Sequence, residues 1–248
     1  MSGHSKWSTI KHKKAATDAK RGKVFTRIAK EITISARSGG GDPETNNALR
    51  LMISKAKAAN MPKDNIDKAI KRGTGELAGG ELVEVIYEVY APHGIGVLVE
   101  AVTDNRRRAI ADVRHTVSKY GGTMADAGSV AWQFTRKGYI GITGEVDEDD
   151  LFLTAADAGA EDIEFGEITE IFVDLEDFQA VQLALEEEGI TMDEANVIYD
   201  PNNAMALPQD QTVQVMNLIE KIEDLDDVQN VYSTLEVTDE AIAAMEVA

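Results

Sequence analysis

Apolar residues recur every three or four positions in the first third of the chain and every second position after it. Between Ala15 and Ser38, Val24 or Phe25, Ile28, Ile32 and Ser35 or Ala36 share one helical face, while Lys20, Arg21, Lys23, Arg27 and Lys30 fall largely elsewhere. The spacing predicts an amphipathic helix with a basic outer face, ended by Gly39, Gly40 and Gly41. Asp42 followed by Pro43 predicts an N-cap and a second helix reaching Ala59, with Ala48, Leu49, Met52, Ile53 and Ala56 inward. A third helix is expected from Lys63 to Arg72, with Ile66, Ala69 and Ile70 inward, closing at Gly73. None of the three can bury its stripe alone, so residues 1–76 are expected to form a small helical bundle.

The glycines and polar residues between Thr74 and Glu81 predict a linker. Alternation then takes over. Val83, Val85, Tyr87 and Val89 predict a strand, Pro92 to Gly94 a turn and Ile95 to Val102 the hairpin partner. A helix from Arg106 to Tyr120 follows, and Val130, Trp132 and Phe134 alternate as a third strand. After a turn at Arg136, Lys137 and Gly138, the order becomes strand, helix, two strands, helix, strand, the ferredoxin-like βαββαβ arrangement. The segment from Asp200 to Pro208 predicts a connector, followed by a helix carrying Val215, Leu218, Ile219 and Ile222 and a strand carrying Val231, Ser233, Leu235 and Val237. These supply what the ββαβ unit lacks. The expected fold is therefore multidomain α and β. It comprises the helical bundle, a split α+β middle domain (77–135 and 206–241) and an inserted ferredoxin-like α+β domain (136–205).

Composition adds a charge asymmetry to this picture. Of 248 residues, 43% are hydrophobic and 28% charged, as in an ordinary globular protein, and the formal net charge is −19. Residues 1–76 hold 17 Lys and Arg against 7 Asp and Glu, a net of +10. Residues 77–137 hold 7 of each, and residues 138–248 hold one base against 30 acids, a net of −29. A basic end on an acidic body concentrates a local field that the whole-chain charge conceals.

Candidate chemistry narrows quickly. With no cysteine there is no disulfide framework, thiolate metal site or cysteine nucleophile. The four histidines, at 4, 12, 93 and 115, lack metal-ligand spacing, and no phosphate loop, GxGxxG, HExxH or GxSxG pattern occurs. Asp147 to Asp150 lack the glycine and terminal Glu of a calcium loop and are expected to cap a helix N-terminus. No catalytic residue, metal or cofactor is therefore expected, and the chain is read as a non-enzyme. No apolar run is long enough to span a membrane, and no secretory h-region is present, so the expected location is the cytoplasm.

The basic stretch is the informative exception. From Gly3 to Lys30 it carries nine Lys or Arg against one acid, Asp18. Lysine and arginine at this density neutralise phosphates and release counterions, which favours nucleic acid as the partner. Lys6, Lys11, His12, Lys13, Lys14, Lys20, Arg21, Lys23 and Arg27 are the candidate contacts. Trp7 offers either a stacking face for a base or an anchor for the N-terminal arm. Arg106 and Arg107, at the start of the middle-domain helix, are candidates for a further phosphate contact or for pairing with nearby acids.

Several short motifs, in order, give the chain a likeness. They are GHSKW at 3–7, IKHKK at 10–14, DAKRGKVFTR at 18–27, Lys30-Glu31-Ile32, GGGDPETN at 39–46, Leu49-Arg50, KAKAANMPKDNIDKAIKRG at 55–73, TDNR at 103–106 and DVQNVYS at 227–233. Together they resemble the YebC/PmpR family, which includes the mitochondrial translational activator of cytochrome c oxidase subunit I. The resemblance implies three domains, with the ferredoxin-like one inserted, and a non-enzymatic cytoplasmic regulator of gene expression. Family members are described as probable transcriptional regulators that bind DNA. Others are described as ribosome-associated factors that assist translation through proline-rich stretches, which makes ribosomal RNA and the ribosome the alternative partners. The chain departs from the family pattern at Arg107, Arg108 and Ala109, and at Val89 and His93, where glycines are expected.

Overall fold

The structure is a computed structural model and describes residues 18–78, 80–144 and 146–237, with the side chains of residues 18–21 outside the description. The described residues form seven α-helices and two antiparallel sheets, a multidomain mixture of α and β. They divide into two compact units, one spanning Phe134–Asn202 and the other built from the segments on either side of it.

Among the described residues the flanking unit opens with three helices: α1 (Asp18–Gly39), α2 (Asn47–Ala58) and α3 (Lys63–Gly73). Their stripes meet in one core, with Ile28, Ile32 and Ala36 from α1, Leu49, Met52 and Ala56 from α2, and Ile66 and Ala69 from α3. Each large side chain buried there contributes about 1.5–3 kcal/mol. The second helix starts four residues later than Pro43, the start its sequence predicts, because Asn46, not Asp42, caps it. Asn46 Oδ1 accepts from Leu49 N at 3.1 Å while its amide donates to Ser35 O and Gly40 O, both at 2.8 Å. A carboxylate cannot donate, so Asp42 is confined to a turn in which its side chain accepts from Glu44 N.

Helices α1 and α3 cross closely at Gly73. A Cβ there would stand 2.4 Å from Thr33 O and 2.7 Å from Ala36 Cβ. Gly73→Ala is therefore expected to destabilise the bundle by about 1–3 kcal/mol, read as a lower chemical-denaturation midpoint.

The same unit continues with β1 (Val83–Tyr90), β2 (Gly96–Thr103), α4 (Arg106–Lys119) and the short β3 (Thr123–Met124). After the other unit it resumes with α7 (Gln209–Glu223) and β8 (Val228–Ser233), giving a sheet of order β3-β1-β2-β8. The β1–β2 hairpin runs in register from Val83↔Thr103 to Tyr90↔Gly96. Its turn holds His93 at φ 64, in the left-handed region that favours glycine, and His93 Nε2 lies 2.9 Å from Gln214 Oε1. Val89, Val97 and Val99 pack against Val113 and Val117 of α4 and Val215 and Ile222 of α7.

The alternation at Val130, Trp132 and Phe134 does not form the expected third strand. Ala131–Gln133 is a 3₁₀ turn, Trp132 is 71% exposed, and Thr123–Met124 takes the place beside β1. The loop that displaces it is held by a buried carboxylate on β1, Glu88, which accepts from Gly128 N (2.6 Å), Val130 N (2.6 Å) and Ala131 N (2.9 Å).

The remaining unit contains β4 (Phe134–Thr143), α5 (Glu148–Asp157), β5 (Ala160–Glu164), β6 (Ile168–Val173), α6 (Phe178–Glu187) and β7 (Glu194–Pro201). Its sheet order, β5-β6-β4-β7 with antiparallel neighbours, is the ferredoxin-like one. The expected turn at Arg136, Lys137 and Gly138 is instead part of an unbroken strand. Gly138 serves close packing, since a Cβ there would lie 2.3 Å from the Phe178 ring. Asp147 caps α5 by accepting from Asp149 N and Asp150 N, each at 3.2 Å.

Candidate nucleic-acid interface

The described basic side chains of α1 all find partners within the fold. Its cations at 23 and 27 reach the end of α7, where the last carbonyls of a helix lack intrahelical donors and carry the negative end of its dipole, and Lys30 reaches β2 and the segment after α7. Lys23 Nζ donates to Asp224 O at 2.8 Å, and the Arg27 guanidinium donates to Glu223 O. Lys30 spends all three ammonium protons at 2.8 Å, on Val102 O, Asp226 O and Asp227 Oδ1. Farther along, Arg37 donates to Leu82 O at 2.6 Å.

Asp227 is the centre of this contact. Besides Lys30 it accepts from Thr103 Oγ1 at 3.0 Å and from Arg108 Nε and Nη2 at 3.2 and 2.9 Å. Burial alone would raise its carboxyl pKa, but hydrogen bonds from Lys30 and Arg108, with the Lys30 charge and the Thr103 hydroxyl, hold it below the usual carboxylate range. Arg108 also pairs with Asp104 at 2.9 Å, so it is committed within the fold. Asp227 and Asp104 raise its pKa through those hydrogen bonds.

The sequence candidates therefore separate. Lys6, Trp7, Lys11, His12, Lys13 and Lys14 lie outside the described residues, as do the side chains of Lys20 and Arg21. Lys23 and Arg27 face α7. Arg106 and Arg107 stand exposed in the first turn of α4, where Asn105 Oδ1 accepts from Arg107 N and Arg108 N at 3.1 Å. Neither holds an ion pair among the described residues. The three consecutive arginines thus have different roles, because adjacent positions on a helix diverge by about 100°.

Sequence reasoning missed Asp227, Lys30 and Glu88. Asp227 opens the DVQNVYS motif, and that placement was its one available signal.

Two family models match the chain. One, described as "TACO1/YebC protein N-terminal domain", covers residues 5–76. The other, "TACO1/YebC second and third domain", covers residues 82–235. The chain belongs to the TACO1/YebC family. A relative from Desulfatibacillum aliphaticivorans, named "Probable transcriptional regulatory protein", is 51% identical over 244 residues, covering 98% of this chain and 99% of the relative. A relative from Geobacter sulfurreducens with a name of the same form is 49% identical over 241 residues, covering 97% and 98%. The crystal structure of a conserved hypothetical protein from Aquifex aeolicus superposes with a TM-score of 0.83 at 41% identity, covering 91% of this chain and 94% of that one. In TACO1/YebC terms, the Lys30–Asp227 pair ties the N-terminal match to the end of the second. No helix among the described residues is long and apolar enough to cross a membrane.

Proposed function

We propose that the chain is a non-enzymatic, cytoplasmic regulator of gene expression that binds nucleic acid through the basic residues of its N-terminal end. The observation that carries this reading is the opposition of +10 in residues 1–76 to −29 in residues 138–248. A phosphate polyanion is attracted to the first and repelled by the second. The names of the relatives, regulators of transcription, support the same reading. The contacts are assigned to Lys6, Trp7, Lys11, His12, Lys13, Lys14, Lys20 and Arg21, with Lys23 at the border and Arg106 and Arg107 as a second patch. Arg27, engaged with α7, contributes after a rearrangement of that contact. The domain bounds we assign are 1–76, 77–135 with 206–241, and 136–205.

Reversing Lys13, Lys14 and Arg21 to Glu is expected to weaken both DNA and RNA binding at least about ten-fold at low salt and to flatten the salt dependence. Fluorescence anisotropy measures both; unchanged affinity would remove the reading.

A second reading places the same phosphate contacts on ribosomal RNA, in a translation factor that assists synthesis of proline-rich stretches. It is favoured by the docking of Lys23 and Arg27, which leaves α1 without an unbroken basic face to lay in a major groove. Co-sedimentation with ribosomes from lysate at low salt, set beside a DNA footprint, separates the two.

A further inference from the structure

The outer stripe of α3 lines a groove of about 550 Å³ beside the docked end of α1. Asn65, Lys68 and Arg72 stand there at i, i+3 and i+7, one above the other on a single helix face. The floor is apolar, formed by Ala29, Met61 and Ala69, and the half-buried ring of Phe25 adds an aromatic surface. The exposed Asp226, whose backbone carbonyl accepts from Lys30, also lines the groove.

The charges in this groove are of two kinds. Lys30 and Arg108 also line it, but Asp227 and Asp104 already neutralise them. Lys68 and Arg72 are exposed and make no ion pair or side-chain hydrogen bond among the described residues. The groove therefore offers two uncommitted cations on one helix face, a half-buried aromatic ring and the carboxylate of Asp226.

We propose that this groove binds one nucleotide of a single-stranded nucleic acid, with a phosphate held between Lys68 and Arg72 and the base against Phe25. The proposal rests on the nucleic-acid reading above and deepens it by naming a site and a strand state. Residues four apart on a helix have Cβ atoms about 5–6 Å apart, close enough for both cations to reach one phosphate. The carboxylate of Asp226 repels a second phosphate and accepts from a base amino group or a sugar hydroxyl, so it fixes which way round the nucleotide lies. The volume is that of a small-ligand site, about 300–1,000 Å³. A stacked duplex cannot place a base in it, whereas an unpaired strand can.

The test uses the full chain and three fluorescein-labelled probes: an RNA single strand of mixed sequence, the DNA single strand of the same sequence, and its DNA duplex. Lys68→Glu with Arg72→Glu is expected to weaken single-strand binding at least about ten-fold, through lost phosphate contact. Lys57→Glu with Lys63→Glu makes the same charge change at exposed positions outside the groove, and is expected to cost less than about three-fold on every probe. Duplex binding should fall no further with the groove variant than with this control. Lys68→Gln with Arg72→Gln, which introduces no negative charge, should act in the same direction and guards against misfolding. The RNA and DNA arms identify the strand the groove takes as the one whose affinity falls more.

Equal losses from the groove and control pairs, or equal losses for duplex and single strands, would overturn the groove. If the groove variants are silent while reversal of Lys13, Lys14 and Arg21 abolishes binding, the groove fails and the general reading stands. No binding of any probe by the unaltered chain would overturn both.

Discussion

Asp227→Ala is expected to lower stability by about 3–5 kcal/mol, the cost of removing one member of a buried, hydrogen-bonded ion pair. The Lys30 and Asp227 side chains are only 13% and 11% exposed, and their Nζ–Oδ1 distance is 2.8 Å. Alanine leaves the Lys30 ammonium with two carbonyl partners and no counter-charge, and leaves the Thr103 hydroxyl and the Arg108 guanidinium without their shared acceptor. Urea denaturation at neutral pH measures the loss. Acid gives a second check. Because the folded pKa of Asp227 is depressed, its stabilisation is present above the ordinary carboxylate value of about 4 and disappears as pH falls through the folded value. The gap between the native chain and the variant should therefore narrow below about pH 4. A gap that stays constant into acid would show that the carboxylate charge is not what stabilises the contact.

Glu88→Gln is expected to cost about 3 kcal/mol, since charge-assisted hydrogen bonds contribute about 1.5–3 kcal/mol and unsatisfied buried donors cost about 1–3 kcal/mol. Burial alone would raise the Glu88 pKa, but the amides of Gly128, Val130, Ala131 and Ser129 together bring it below the usual value. A glutamine would turn an amide group toward donors that need an acceptor. The loop itself carries a reporter, because Trp132 Nε1 donates to Ser129 O at 2.9 Å. In a Trp7→Phe background, where Trp132 is the sole tryptophan, Glu88→Gln should shift the emission maximum and lower the thermal midpoint together. An unchanged emission spectrum and midpoint would mean that Glu88 does not hold the loop.

The layered architecture was legible because it is written in periodicity. Ile28, Ile32 and Ala36, and Val113 and Val117, are buried where their spacing places them. The failures have a common cause, namely that a local pattern does not report its partner. Val130, Trp132 and Phe134 alternate like a strand, yet β1 reaches this segment through a carboxylate that gathers its amide groups. Asp42-Pro43 carries the usual helix-start chemistry, but Asn46 joins two helices at once and so fixes the boundary. At the candidate site the basic composition was plain, whereas the diversion of Lys23 and Arg27 was not. Their shortest contacts are to main-chain carbonyls, which every residue possesses and no side-chain pattern marks; the Lys23 pairing with Asp224 Oδ1 is longer, at 3.4 Å.

Those same contacts bear on how the protein is made. Lys23 and Arg27 find their acceptors 201 and 196 residues farther along the chain, and Lys30 finds two of its three 196 and 197 residues on. During synthesis from the N-terminus, α1 emerges long before the end of α7 exists, and the whole ferredoxin-like unit must leave the ribosome in between. The basic face of α1 consequently spends most of the elongation time undocked, and its last positions close only when the loop after α7 has appeared. Docking of α1 is thus a late event that joins distant segments of the nascent polypeptide, and a prematurely terminated product would display undocked the cations that the finished protein engages.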